Sequence, residues 1–180
     1  MKEAIIAQLA SPVSQVRTQV SNVVAAIAGI EIPRKEWEDL LPNLCQNAEH
    51  SDYNIRLASL TTLGYICEEI DPNGIADPLK NRVTLALINN MVTVEGPDSL
   101  APCRVASKAL VISIPFVSQN FKVQNERDYI MEKIFSACET SGDDEIVVSC
   151  LMSLREISTQ EYDSIQHYFA KICGVLSVAA

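Results

Sequence analysis

Histidine is scarce in this chain, and the scarcity excludes a good deal. Only His50 and His167 occur in 180 residues. Neither is spaced to join a zinc site, and neither supplies a base near a candidate nucleophile. The six cysteines contain no C-x-x-C pair. Most fall on apolar helical stripes, which marks them as small core residues in a reducing compartment rather than as disulfides or metal ligands. No run of 18 apolar residues exists, so no segment is expected to span a membrane. The opening MKEAIIAQLASPVSQVR is too polar, and its apolar run too short, for a signal peptide. Basic residues are outnumbered, 14 against 23 acidic, for a net charge of −9. General nucleic-acid binding needs a basic surface and is excluded. The acidity fits either contact with basic partners or plain solubility. No cofactor is expected. Asp143, Asp144 and Glu145 read as caps on the helix that follows them, not as a catalytic carboxylate pair.

What the chain has is helical periodicity. Trp37, Leu40, Leu41, Leu44 and Cys45 follow the i, i+3, i+4, i+7, i+8 pattern. Ile130, Met131, Ile134, Phe135 and Cys138 make a similar stripe, as do Ile165, Tyr168, Phe169, Ile172, Cys173 and Leu176. Each predicts an amphipathic helix with one wet face. Pro42 lies within the first of these and predicts a bend. Between them runs a second helix type. In NIRLASLTTLGYICEEIDP, Leu60, Leu63, Cys67 and Ile70 form one stripe, and Ile55, Ala58, Thr62 and Ile66 form another beside it. So wide an apolar surface predicts packing on more than one side. DPNGIADP, VEGPDSLAP and TSGDDE separate the helices.

The second type recurs, anchored on Val24, Leu63, Leu110 and Leu154 at intervals of 39, 47 and 44 residues. Two-helix repeats of this length are expected of HEAT solenoids. The predicted fold is therefore all-α: an α-solenoid superhelix of HEAT repeats with about four antiparallel helix pairs. Residues 1–180 form one array, with a partial repeat over 1–32, repeats over 33–72, 73–122 and 123–162, and a partial repeat over 163–180. Gly64 sits in mid-helix, where it costs about 1 kcal/mol against alanine. It matches Ala25 of the first unit, so it reads as a place where inner helices approach closely. Solenoids offer extended binding surfaces rather than one chemical pocket, and the chain is not expected to be an enzyme.

Three stretches, AAIAGIEIPRKEWEDLLPNL, ASLTTLGYICEEIDP and NERDYIMEKIFSACET, resemble successive parts of the importin-β family of nuclear-transport receptors. The resemblance runs from about Val16 to the C-terminus, and L-G-Y-I-C-x-x-I-D-P is its most specific piece. It implies roughly two repeats before Met1 and many after Ala180. It implies three classes of partner: FG-repeat nucleoporins on the convex side, Ran GTPase in its GTP form on the concave side, and the importin-α adaptor or cargo through repeats outside this chain. Neither nucleic acid nor membrane is among them. It also implies residence in cytoplasm and nucleus and at the nuclear pore.

The family's Phe-Gly site lies between two outer helices. By matching motifs, Thr84, Leu85 and Ile88 form one wall and Glu126, Tyr129 and Ile130 the other. The residues agree: Glu126, Tyr129 and Ile130 are three and four apart, hence on one helical face. Thr84 and Leu85 stand in the reverse of the family's apolar-then-Thr order, and Tyr129 stands where members can carry Phe. A second groove is expected near Lys133, Gln166 and His167. Arg56, Ser59 and Glu69 are candidates for the Ran face. The competing reading is a generic HEAT scaffold subunit of phosphatase-regulatory or trafficking-coat type, which would lack Phe-Gly affinity.

Overall fold

A computed structural model describes residues 2–92 and 100–179, and among these there is no strand. Ten helices follow one another: α1 (Lys2–Ala7), α2 (Ser14–Glu31), α3 (Leu40–Asn47), α4 (Tyr53–Glu69), α5 (Asp77–Asn89), α6 (Leu100–Ser113), α7 (Ser118–Phe121), α8 (Gln124–Thr140), α9 (Asp144–Gln160) and α10 (Phe169–Ala179). The separator VEGPDSLAP lies mostly outside the described residues. Starts are set by side chains. Asp52 accepts hydrogen bonds from the backbone N–H groups of Asn54 and Ile55, and Asp143 from that of Ile146, so both serve as N-caps. Pro78 occupies the first turn of α5, where its missing N–H has no intrahelical partner to lose.

Helices α2, α4, α6 and α9 stack as an inner row, while α1, α3, α5, α8 and α10 form an outer row. Within the array α3 packs on α4, α5 on α6 and α8 on α9. This is the architecture of a HEAT solenoid. Contacts are denser along the inner row than along the outer one, so the array curves with the inner row on its concave side. The four anchors Val24, Leu63, Leu110 and Leu154 are all buried. Helix α4 buries residues on several faces because α2, α3 and α6 surround it.

Each inner junction is closed by different chemistry. Between α2 and α4 the Ser21 hydroxyl donates to Thr62 Oγ1 at 2.9 Å inside the core, while the Thr62 hydroxyl donates to the Ala58 carbonyl at 2.7 Å. Between α4 and α6 there is no polar link at Gly64; a Cβ built there would lie 3.0 Å from Ala109 Cβ. Close approach is therefore what Gly64 permits. Between α6 and α9, Arg104 donates from Nε at 3.1 Å to both oxygens of Asp143, and Lys108 Nζ lies 2.6 Å from Glu145.

Hydrogen bonds from Arg104 hold the Asp143 carboxyl below its ordinary range, and the Lys108 ammonium does the same for Glu145. A carboxylate depressed in the folded chain contributes stability that is complete above its unfolded pKa and lost as pH falls through its folded one. Melting temperature should therefore decline below about pH 4. Arg104→Met should flatten that decline, which a melting series across acid pH will test.

Several sequence expectations are corrected. Pro42 bends nothing, because α3 starts only at Leu40 and the proline sits in its first turn. Trp37 is buried but precedes the helix, in an irregular segment where Lys35 adopts a positive φ of 58°. The helix anchored on Leu110 stops at Ser113, and Pro115 lies in a 3-10 turn there. The last stripe is only partly covered: Ile165 is buried, Tyr168, Phe169 and Ile172 are half-buried, and Cys173 and Leu176 are exposed. Ile165 itself lies ahead of α10, between two 3-10 turns.

Five cysteines are buried and Cys173 is not. Burial pushes the Cys45 thiol up to about 11 and those of Cys67 and Cys150 up to about 12. Since the thiolate is the reactive form, one fast-labelling thiol is expected in the native chain. Mass spectrometry after brief iodoacetamide treatment should find it at Cys173.

Candidate functional site

The outer helices α5 and α8 lie side by side, and a cleft of about 360 Å³ runs between them. Leu85 on α5 and Tyr129 on α8 are the exposed apolar side chains of its two walls, 45% and 37% accessible. Thr84 and Ile130 line the cleft from below, each almost fully buried, and Glu126 lines its α8 side and is exposed. Five of the six expected wall residues thus meet in one cleft. Ile88 does not join them: it is wholly buried and forms part of the core beneath. The matching motifs placed it on a wall, but α3, α6 and α8 all pack around α5 and leave Ile88 no exposed side.

The cleft is more polar than the sequence suggests. Asn81 and Asn125 line it, as does Asn120 from the short helix α7. Asn120 Nδ2 donates to Asn81 Oδ1 and to Glu126 Oε2, both at 2.9 Å. The Tyr129 hydroxyl donates to Asn89 Oδ1 at 2.6 Å, and Lys133 Nζ lies 5.4 Å from the centre of the Tyr129 ring. Two buried oxygens of the cleft, Asn120 Oδ1 and Thr84 Oγ1, have no hydrogen-bond partner. The arrangement suits an extended peptide: an aromatic ring between Leu85 and Tyr129, with carboxamides at hand for main-chain groups. The carboxamides carry no periodicity, so the sequence reading passed over them. The only signal was the polar run Ser118-Gln119-Asn120 held between Val117 and Phe121.

The second groove was expected where α10 packs on α8. Asp128 accepts a hydrogen bond from the Tyr168 hydroxyl and lies 3.8 Å from His167 Nε2. The His167 and Tyr168 rings stack at 3.8 Å. Lys133 leans instead toward Tyr129. Of the inner-row candidates Arg56 is half-buried, Ser59 is buried and Glu69 is exposed. The concave side carries two adjoining hollows of about 320 and 460 Å³, which share Lys108 and Ile112. Tyr65 and Val105 line one; Val148 and Met152 line the other. A further outer cleft, not foreseen from the sequence, lies between α1 and α3, with Lys2 Nζ 5.0 Å from the Trp37 ring centre.

A HEAT repeat family model matches residues 40–70, which comprise α3 and α4. The chain is 32% identical over 180 residues to importin subunit beta-1 of Arabidopsis thaliana, covering 97% of this chain and 20% of that protein. Among solved structures it superimposes with a TM-score of 0.86 on Kap95p with RanGDP, where binding induces Ran's switch loops to adopt the GTP-bound conformation; identity is 26%, over 99% of this chain and 20% of that one. It superimposes on the Kap95:Nup1 complex with a TM-score of 0.80 at 27% identity, over 99% and 21%. The chain spans about a fifth of the length of the curated relatives it matches.

Proposed function

The chain belongs to the importin-β family, and from that premise we propose that it acts in nuclear protein import by binding Phe-Gly repeats of nucleoporins in the cleft between α5 and α8. The observation that carries the reading is the pairing of exposed Leu85 and Tyr129 on facing walls of one cleft, over a floor that holds Thr84 and Ile130. A phenylalanine ring buried between them contributes roughly 1.5–3 kcal/mol. That is weak contact, as transport through a crowded pore requires. The likeness to Kap95 in its Nup1 complex supports the same reading.

The concave row contributes part of a surface for Ran in its GTP form. Support comes from the likeness to Kap95p in its Ran complex and from the hollows between inner helices. Cargo, or the importin-α adaptor, engages repeats outside this chain. The protein works in cytoplasm and nucleus and binds without catalysing.

Titration of an FxFG peptide into labelled protein tests the proposal. Amide shifts are expected at residues 84–88 and 126–130. Shifts confined to the inner row would place the site elsewhere, and failure to be retained on Phe-Gly beads would favour a generic scaffold.

A further inference from the structure

We propose that Asn120 is the positioning residue that sets the spacing between the two walls of the α5–α8 cleft; this rests on the peptide-binding reading given above. Asn120 belongs to neither wall. It comes from α7, the short helix between α6 and α8, which is rooted in the core by Phe121. Arg127 adds a tie, donating from Nη1 to the Phe121 carbonyl at 2.7 Å. From this base the Asn120 amide reaches both sides at once, donating one N–H to Asn81 of α5 and the other to Glu126 of α8. The Glu126 carboxylate can only accept, so it fixes which end of the amide is nitrogen. Oδ1 is consequently turned away, buried and without a partner.

That unpartnered oxygen separates positioning from stability. Asn120 is 93% buried, given its 7% accessibility, and a buried acceptor without a partner works against folding. An apolar side chain of similar volume would avoid that loss. The amide therefore contributes little net stability where it stands. What it does contribute is a fixed separation, since two N–H groups on one planar amide hold α5 and α8 at set positions. Preorganised spacing lowers the ordering cost of binding.

Asn120→Leu tests this directly. Its melting temperature is expected to equal or exceed the parent's, while FxFG affinity falls at least fivefold. In the ligand-free chain, the methyl signals of Leu85 and ring signals of Tyr129 should shift, because the walls have moved. A double-mutant cycle adds a charge test. Asn120→Asp sets a carboxylate against Glu126 and should lose affinity. In an E126Q background the same change should fall within twofold of E126Q alone, because a glutamine can donate to the introduced carboxylate and Asn81 can turn its amide to do so. Unchanged signals and affinity in Asn120→Leu would overturn the proposal. So would a fall in melting temperature that accounts for the lost affinity, or a double variant that fails to recover. Should the parent chain not bind the peptide at all, the functional reading fails, but the ligand-free signals of Leu85 and Tyr129 still decide the role of Asn120.

Discussion

Leu85→Asp is expected to lower the affinity for an FxFG peptide at least tenfold and to leave the fold intact. Leu85 projects from α5 with nearly half its surface in water, so an aspartate there meets solvent in the free protein. Surface substitutions of this kind usually change stability by no more than about 0.5 kcal/mol. Binding is different. An aromatic ring seated between Leu85 and Tyr129 would bury the new carboxylate against itself, and burying an unpaired charge is strongly unfavourable. Loss of the apolar contact alone, roughly 1.5–3 kcal/mol, corresponds to a tenfold or greater change. Calorimetry of peptide binding beside a thermal melt will separate the two effects. Equal affinity for parent and variant would remove Leu85 from the site. Tyr129→Phe offers the converse: it keeps the ring and loses only the hydroxyl bond to Asn89, so binding should persist.

Gly64→Leu should destabilise the chain by about 3 kcal/mol, with a fall in Tm of roughly 6–12 °C for a chain of this size. Even the first added carbon meets Ala109 Cβ at 3.0 Å, and the longer side chain must be forced past that contact toward the hollow that Gly64 lines with Tyr65 and Val105. The helices must part, and the apolar contacts beside them part too. Gly64→Ala is the informative companion. It regains about 1 kcal/mol of helix propensity, while the tight contact with Ala109 takes back a similar amount. Its melting temperature should stay within a few degrees of the parent's. A leucine variant as stable as the parent would mean that the inner row can open at no cost, against the packing seen here.

The sequence revealed most where one face of a helix decides the outcome. Val24, Leu63, Leu110 and Leu154 recur at a near-regular interval because each lies at the centre of an inner helix, and all four are buried. Gly64 was legible for the same reason: a costly residue in a wide apolar surface points to close backbones. Legibility failed where a second neighbour intervenes. Ile88 was expected on a cleft wall but lies in the core, because α5 has neighbours on several sides, which no single helix can report. Cys173 has the spacing of a core residue on α10, yet no described helix covers it. The start of α3 was equally hidden, unlike that of α9 with its capping Asp143: the stripe through Trp37 and Leu40 is continuous in sequence, but the backbone becomes helical only at Leu40. Asn120 lies in a short connection, too brief for any period, and its importance comes from reaching two helices at once.

The three inner junctions differ in what holds them, and solvent can tell them apart. Added electrolyte screens exposed charges, which weakens the Lys108–Glu145 pair while leaving the Ser21–Thr62 hydroxyls and the bare Gly64–Ala109 contact untouched. In a quasi-one-dimensional stack each unit leans only on its neighbours. At high ionic strength, then, fraying begins at α9 and travels inward, and amide hydrogen exchange there quickens before it does in α2 or α4.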